Sequence, residues 1–356
     1  MNRRDFLKLS TCAAAGGAAM PTLGADLPKL GDIRALLLHL GYNMWCDWFP
    51  PDIDTTGLQS LPDTVLRNKD DLWIKATNYA AQKGVNMIVI DVGEGVVYPS
   101  HPELAIKGSW SVEKLQAEVR RLRGMGMEAI PKLNFSTSHN GWLKQYRRMV
   151  STPTYYKVCE DVLRDVYEIF DHPRFIHIGC DEEQASHQLN IVKYTYIVAR
   201  TKEFWMYDYL HLVRTVEKLG ARPWCWSDYG WRHPEFLKRS PKSVVMSNWY
   251  YDECYGGFDP KTNKTSDLER LVQFWDLEKA GFDQIPCGTN WVGSGRRKLK
   301  IGADDVMGKL VKTCRKVIAP ERLLGFLMAP WVSLTDEAAY ERNVHAIDIF
   351  AEALRQ

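Results

Sequence analysis

Short apolar stretches of strand length recur along the sequence, and helical or loop-like segments separate them. The eight stretches are residues 33–40, 85–91, 127–134, 175–180, 223–228, 244–249, 284–289 and 324–331. Helices are predicted between them over residues 73–83, 111–124, 154–170, 202–219 and 268–281. Apolar runs of this length between turn signals are typical of buried strands. Eight strands that alternate with helices indicate a closed parallel barrel, so the sequence predicts a single-domain (β/α)8 TIM barrel of the α/β class.

An open, doubly wound sheet is the alternative for the same order of elements. Such a sheet usually carries a glycine-rich nucleotide-binding turn after its first strand. Here Gly41-Tyr42-Asn43 follows that strand, without a GxGxxG motif. No linker-like segment divides the chain, so residues 26–356 are predicted to form one domain.

The first 25 residues have the features of a targeting segment and not of a folded domain. Arg3 and Arg4 precede a weakly apolar, Ala/Gly-rich stretch that extends to Met20, and Leu23-Gly24-Ala25 supplies the small residues of a cleavage site. This pattern resembles a twin-arginine export signal. We therefore predict that residues 1–25 are such a signal and that the protein is exported, to the periplasm or outside the cell. The apolar part is too short and too weakly apolar to span a bilayer.

Charge and cysteine content exclude several classes of function. The formal net charge is +2, and the three basic residues and one acidic residue of the first 25 positions account for it. The nearly neutral remainder predicts no nucleic-acid-binding surface. Eight cysteines without a CxxC pair indicate neither a zinc site nor a disulfide framework. Thirteen tryptophans and sixteen tyrosines suit the binding of sugar rings, or plain packing, and composition alone leaves both open.

Three consecutive carboxylates follow the fourth predicted strand, as Asp181-Glu182-Glu183. Parallel α/β folds place their chemistry at the carboxyl ends of strands. Neighbouring carboxyl groups can differ in protonation state, because burial favours the neutral form and hydrogen bonds favour the ionised form. We therefore predict that Glu182 is a general acid supported by Asp181. Glu183 is expected to be solvated or paired with a cation.

The residues that follow the other predicted strands converge on the same end of a barrel. They are rich in carboxylates and aromatic rings and poor in cations, which favours an uncharged polyol over a phosphate. The predicted substrate-binding residues are Asp91, Asn134, His139, Trp226, Asp228, Trp249, Tyr250, Trp291 and Trp331. Single members of this set have structural alternatives, such as packing for a tryptophan or a loop cap for Asp91. His177, in mid-strand, is expected to be structural.

A metal site is the competing interpretation of the same strand ends. Its potential ligands are His39, Asp91, His139, Asp181 and Glu182. No HxH or HExxH spacing is present, so this alternative rests on position alone. The main prediction includes no metal and no cofactor.

The segment His177-Ile178-Gly179-Cys180-Asp181-Glu182 resembles a known family motif. It is similar to the His-x-Gly-Gly-Asp-Glu strand end of the β-N-acetylhexosaminidases of glycoside hydrolase family 20, with Cys180 at the second glycine. Weaker resemblances to the family extend over most of the barrel, at residues 110–112, 126–131, 139, 226–228, 249, 280–282 and 325–331.

The resemblance implies a retaining exo-glycosidase with a carbohydrate substrate. Glu182 would be the general acid/base, and Asp181 would orient the 2-acetamido group, whose carbonyl oxygen attacks the anomeric carbon. Such substrate-assisted hydrolysis needs no protein nucleophile.

The sequence also departs from the family at five residues that the family usually carries. Gly41-Tyr42-Asn43 stands where the family has an arginine, and Lys132 and Asn134 stand for its third-strand Glu and Asp. The family tyrosine late in the seventh strand is replaced around Asn290-Trp291, and the carboxylate after the eighth-strand tryptophan by Val332-Ser333. These departures leave open a catalytically silent, carbohydrate-binding barrel as the second hypothesis.

Overall fold

The computed structural model describes residues 27–48, 61–185, 188, 198–251, 265–290 and 305–356. The predicted export signal, residues 1–25, and the predicted site residue Trp291 lie outside the described residues. Among the residues described, no helix has both the length and the apolar character that a membrane crossing requires.

Eight parallel strands form one sheet. They are β1 (Ile33–His39), β2 (Met87–Asp91), β3 (Glu128–Lys132), β4 (Phe175–His177), β5 (Arg222–Trp226), β6 (Val245–Ser247), β7 (Cys287–Gly288) and β8 (Gly325–Met328). Their order in the sheet is β6-β5-β4-β3-β2-β1-β8-β7. Parallel bridges from Met246 to Gln284 and from Trp249 to Cys287 connect the two edges. The sheet is therefore a nearly closed barrel, which confirms the predicted (β/α)8 fold.

Helices follow the strands along the chain. They are α1 (Asp70–Gln82), α2 (Val112–Gly124), α3 (Pro153–Ile169), α4 (Lys202–Leu219), α5 (Glu235–Arg239), α6 (Thr265–Ala280), α7 (Asp305–Val317) and α8 (Glu337–Arg355). Ser111 caps α2 as predicted, because its hydroxyl accepts the Lys114 N–H at 3.2 Å. Helix α4 has the predicted bounds and ends at Gly220, which adopts a left-handed φ of 96°.

Apolar side chains form two cores, one on each face of the strands. In β1, Ile33, Ala35 and Leu37 belong to the core inside the barrel, whereas Leu36 and Leu38 belong to the larger core under the helices. Because successive side chains of a strand point to opposite faces, the same alternation sets which residues line the barrel. The six described cysteines are buried, and no disulfide joins any two of them.

Polar residues occupy the inner face of the barrel near the carboxyl ends of four neighbouring strands. The pairing register aligns His39 with Asp91, Asp91 with Lys132, and Lys132 with His177. All four side chains are buried. This row of residues, called the polar layer below, lies between the apolar interior of the barrel and the carboxyl ends of the strands.

Candidate active site

The backbone after β4 makes an unusual turn before it presents its carboxylates. Gly179, Cys180 and Glu182 have φ angles of 71°, 73° and 52°, all in the left-handed region. Glycine is required at 179, because a Cβ there would lie 2.1 Å from the Asn134 side-chain oxygen. The Cys180 N–H donates to that same oxygen at 3.3 Å. The turn therefore packs directly against the end of β3.

Asp181 is held as a carboxylate by its neighbours. Asn134 Nδ2 donates to Asp181 Oδ1 at 2.7 Å, and His139 Nδ1 lies 3.5 Å from Asp181 Oδ2. Burial favours the neutral acid, but the charge of His139 and its hydrogen bond outweigh burial and lower the pKa of Asp181 far below its usual value. Asp181 is therefore ionised at neutral pH.

Glu182 shares the imidazole of His139 with Asp181. His139 Nε2 lies 3.4 Å from Glu182 Oε2, and the Glu182 side chain is 33% exposed whereas that of His139 is 6% exposed. Burial alone would lower the pKa of His139, yet Asp181 and Glu182 together raise it to about 10. The ring is therefore a cation at neutral pH, and it joins the two carboxylates into one cluster, called the His139 cluster below.

Two further side chains contact the backbone of Glu182. Asp228 Oδ2 accepts the Glu182 N–H at 2.7 Å, and the Ser138 hydroxyl donates to the Glu182 carbonyl at 2.6 Å. Burial, followed by the negative charge of Asp181, raises the pKa of Asp228 well above its usual value. Asp228 is therefore a neutral carboxyl group that lies against the peptide preceding the predicted general acid.

Glu183 points away from this cluster and is paired with a cation, one of its two expected roles. Arg200 donates to Glu183 at 2.7 Å and also pairs with Asp208 on α4. The Thr137 N–H donates to Glu183 at 2.9 Å, and its hydroxyl donates as well. These contacts anchor the loop after β4 to the loop after β3 and to α4.

The polar layer contains a second, separate group of charges. Lys132 Nζ donates to Asp91 Oδ2 at 2.6 Å, and His39 Nδ1 lies 3.2 Å from the same oxygen. Burial would raise the pKa of Asp91, but Lys132 and His39 lower it to about 2. His177 accepts the Gly179 N–H at 3.0 Å, and burial lowers its pKa, so the ring is neutral and supports the turn.

Aromatic rings lie at or just after the ends of four of the strands, at the same end of the barrel as the His139 cluster. Trp45 lies 6.3 Å from His139 and 5.2 Å from Tyr42, between ring centroids. Trp331 Nε1 donates to the Tyr251 hydroxyl at 3.1 Å. Two further ring pairs are Trp226 with Trp331, at 5.8 Å, and Trp249 with Tyr251, at 5.1 Å. The described part of the chain therefore builds an aromatic wall beside two carboxylates.

One predicted site residue is corrected by the structure. Tyr250 is fully buried in the core under the helices, whereas Trp249 and Tyr251 pack on the barrel side. The physical reason is that the two-residue alternation of β6 continues beyond its last residue, which places 249 and 251 on the same face. Sequence reasoning missed Tyr251, although that alternation identifies it, and it missed Trp45, a loop residue with no periodic signal.

Barrel enzymes carry their active sites at the carboxyl ends of the strands, where this protein has paired carboxylates and aromatic rings. Residues 68–264 match the family model described as the catalytic domain of glycosyl hydrolase family 20. The match covers more than half of the chain, so the protein belongs to glycosyl hydrolase family 20. A search of curated proteins found no matching sequence.

Solved structures of family members have the same fold. The β-N-acetylhexosaminidase from Bacteroides fragilis superposes with a TM-score of 0.59 at 14% identity, over 89% of this chain and 65% of that one. A mutant Streptomyces plicatus β-hexosaminidase in complex with its product GlcNAc gives a TM-score of 0.57 at 13% identity, over 89% and 63%. The β-N-acetylhexosaminidase from Streptomyces coelicolor A3(2) superposes with a TM-score of 0.56 at 12% identity, over 88% of this chain and 63% of that one. This chain spans slightly less than two thirds of the length of each of these proteins.

Proposed function

We propose that this protein is a retaining exo-glycosidase of the β-N-acetylhexosaminidase type that removes a terminal β-linked N-acetylhexosamine. The observation that carries the proposal is the His139 cluster, in which one imidazole contacts both Asp181 and Glu182. Membership of glycosyl hydrolase family 20 supports the same reaction class.

Glu182 is the proposed general acid/base because it is the most exposed member of the cluster, with a third of its side chain accessible. In the first step the bond between the anomeric carbon and the leaving oxygen breaks, and Glu182 gives that oxygen a proton. The acetamido carbonyl oxygen of the substrate bonds to the anomeric carbon at the same time. In the second step Glu182 takes a proton from water, and the hydroxide displaces the carbonyl oxygen. Each step inverts the configuration at the anomeric carbon, so the two steps together retain it.

Asp181 is the proposed partner of the acetamido nitrogen. Its carboxylate is buried and ionised, and Asn134 and His139 fix its orientation. A fixed negative charge stabilises the positive charge that develops on the acetamido group as its oxygen attacks. Trp226, Trp249 and Trp331 are the proposed walls against which the sugar ring packs, since flat apolar faces with polar edges suit a pyranose.

A panel of chromogenic substrates tests this function. We expect release of 4-nitrophenol from the β-N-acetylglucosaminide or the β-N-acetylgalactosaminide and not from the plain β-hexosides. Hydrolysis of the plain hexosides alone would refute the mechanism, because they have no neighbouring carbonyl to attack. Binding of N-acetylhexosamines without any turnover would favour the catalytically silent, carbohydrate-binding barrel.

A metal-dependent barrel hydrolase or isomerase is the second candidate function. One observation favours it: ligand atoms of His139, Asp181 and Glu182 lie within 4.8 Å of one another. In the structure the His139 ring instead contacts both carboxylates, and in its protonated form the ring has no free lone pair for a cation. Of the other two ligands considered, Asp91 is paired with Lys132, and His39 contacts Asp91. Loss of turnover on dialysis against EDTA, with recovery on adding a divalent metal, would establish this alternative.

We further propose that residues 1–25 direct export of the protein. The support is the sequence alone, with its arginine pair at positions 3 and 4 before an Ala/Gly-rich stretch. Replacement of both arginines by lysine is expected to leave the protein inside the cell. Equal export of that variant and the unchanged chain would refute a twin-arginine signal.

A further inference from the structure

We propose that Asp228 and Ser138 are positioning residues that hold the backbone of Glu182 from both sides and thereby aim its side chain. The inference rests on the proposed role of Glu182 as general acid/base. It assigns Asp228, predicted from the sequence to bind substrate, to a different task.

The conformation of Glu182 shows why such support is needed. Its φ angle of 52° lies in the left-handed region, which residues with a Cβ rarely adopt. Strained backbone of this kind persists only where its surroundings determine it. Without external contacts the peptide would relax to an ordinary conformation, and the side chain would turn away from His139.

Asp228 supplies the contact on the amide side. It begins a short 3-10 helix, Asp228–Trp231, directly after β5, and it is 4% exposed. Its Oδ2 accepts the Glu182 N–H at 2.7 Å, while its Oδ1 has no hydrogen-bond partner among the described residues. Burial and the charge of Asp181 favour the neutral form by raising the pKa of Asp228, so an uncharged acceptor satisfies this contact.

Ser138 supplies the contact on the carbonyl side. It lies in the loop after β3 and is also 4% exposed. Its hydroxyl donates to the Glu182 carbonyl at 2.6 Å, and the Gln184 N–H donates to the same oxygen at 2.7 Å. Strands β3 and β5 flank β4 in the sheet, so the two neighbouring strand ends hold the turn between them.

Both contacts are to the backbone of Glu182 and not to its side chain. Removing either contact is expected to misplace the proton donor while the sugar pocket stays intact. Such a defect lowers kcat and leaves KM and ligand affinity nearly unchanged.

Four variants of the full chain test the proposal: Asp228→Ala, Asp228→Asn, Ser138→Ala and Ser227→Ala. The last is the matched control, because Ser227 is equally buried and its hydroxyl has no hydrogen-bond partner among the described residues. The measurements are kcat and KM on the chromogenic N-acetylhexosaminide, the Kd for free N-acetylglucosamine, and amide hydrogen exchange of the peptide over residues 178–185.

For Asp228→Ala we expect kcat to fall roughly 10- to 100-fold, with KM and Kd within about twofold and faster exchange at residue 182. Asp228→Asn is expected to recover most of kcat and of the protection, since an amide oxygen accepts the same N–H. Ser138→Ala should lower kcat less, and Ser227→Ala should change nothing.

Two results would overturn the proposal. In the first, Asp228→Asn is as inactive as Asp228→Ala, and amide hydrogen exchange at residue 182 is unchanged in both variants. The carboxyl group itself would then take part in the reaction. If the loss falls on KM and Kd, Asp228 binds substrate. Where Asp228→Ala does not fold, unchanged kcat and exchange in Ser138→Ala would refute the proposal by themselves. Hydrogen exchange also distinguishes this inference from the proposed function, because it reports the backbone contacts even in a protein without turnover.

Discussion

His139 is the positively charged residue between two acidic side chains of the site. Its ring lies 3.5 Å from Asp181 and 3.4 Å from Glu182. A buried imidazole alone would be neutral, but opposite charges within about 4 Å favour its protonated form more strongly than burial disfavours it. Asp181 and His139 thus form a buried ion pair beside Glu182, which keeps the Asp181 carboxylate ionised.

The raised pKa of His139 predicts how stability depends on pH. The folded value of about 10 lies above the unfolded value of about 6.5. The contribution of His139 to the free energy of unfolding is therefore complete below pH 6.5 and is lost as pH rises toward 10. In urea titrations, the stability difference between the wild type and His139→Asn should be largest at pH 6 and shrink by pH 9. A difference that grows with pH would contradict the assignment.

Replacement of Glu182 by Gln is predicted to remove the proton transfer and to keep the shape of the site. General acid/base catalysis contributes typically 10²- to 10⁴-fold, so kcat should fall by about that factor with a similar KM. The measurement is steady-state kinetics on the chromogenic N-acetylhexosaminide.

Glu168→Gln is a suitable control for that variant, because Glu168 lies on the exposed face of α3 with 61% of its side chain accessible. It should retain full activity. Unimpaired turnover in Glu182→Gln would exclude Glu182 as the acid.

Charged contacts in the polar layer connect the ends of three of its four strands. Lys132 on β3 donates to Asp91 on β2, and His39 on β1 contacts the same carboxylate. Lys132 is fully buried. A charge in this position is tolerated only because its partner compensates it, and the ionised partner in turn depends on the lysine.

Lys132→Met is therefore predicted to destabilise the fold. Loss of one partner of a buried pair costs about 3–5 kcal/mol of unfolding free energy, because the other charge stays buried and unpaired. The double variant Lys132→Met with Asp91→Leu should recover much of the loss, since neither charge of this pair remains to be left unpaired. Urea denaturation of the two variants measures both changes. Equal destabilisation of the single and the double variant would show that packing, not charge, accounts for the effect.

The whole barrel contributes to the pocket, because the aromatic wall draws residues from distant parts of the chain. The Tyr42 hydroxyl donates to the carbonyl of Trp331, 289 positions later in the sequence. A ligand that fills this wall should therefore stabilise the folded chain as a unit.

N-acetylglucosamine is predicted to raise the melting temperature and to change tryptophan fluorescence. At a concentration 100 times its Kd, the expected stabilisation is about 2.7 kcal/mol. Glucose, which lacks the acetamido group, should have a much smaller effect. An equal response to both sugars would mean that Asp181 does not recognise the acetamido group.

Much of the fold and part of the site followed from local patterns in the sequence. All eight strands were predicted, because each is a short apolar run between turn signals. Asp181, Glu182 and His139 were predicted as site residues from their positions after strands, and the structure brings them together. Tyr250 faces the helices and Tyr251 faces the barrel interior. Position after a strand does not distinguish these two residues, whereas the alternation of side chains does.

Local pattern and chain order are enough to predict three features: the eightfold alternation, the family motif, and the end of the barrel at which the carboxylates lie. Which of the polar side chains contact one another is visible only in the folded barrel. The tertiary structure paired Asp91 with Lys132, placed His139 between Asp181 and Glu182, and set Asp228 against the backbone of Glu182. The reason is physical: protonation and orientation depend on distances of a few ångströms between residues about 40 positions apart, and such distances are fixed only when the barrel closes.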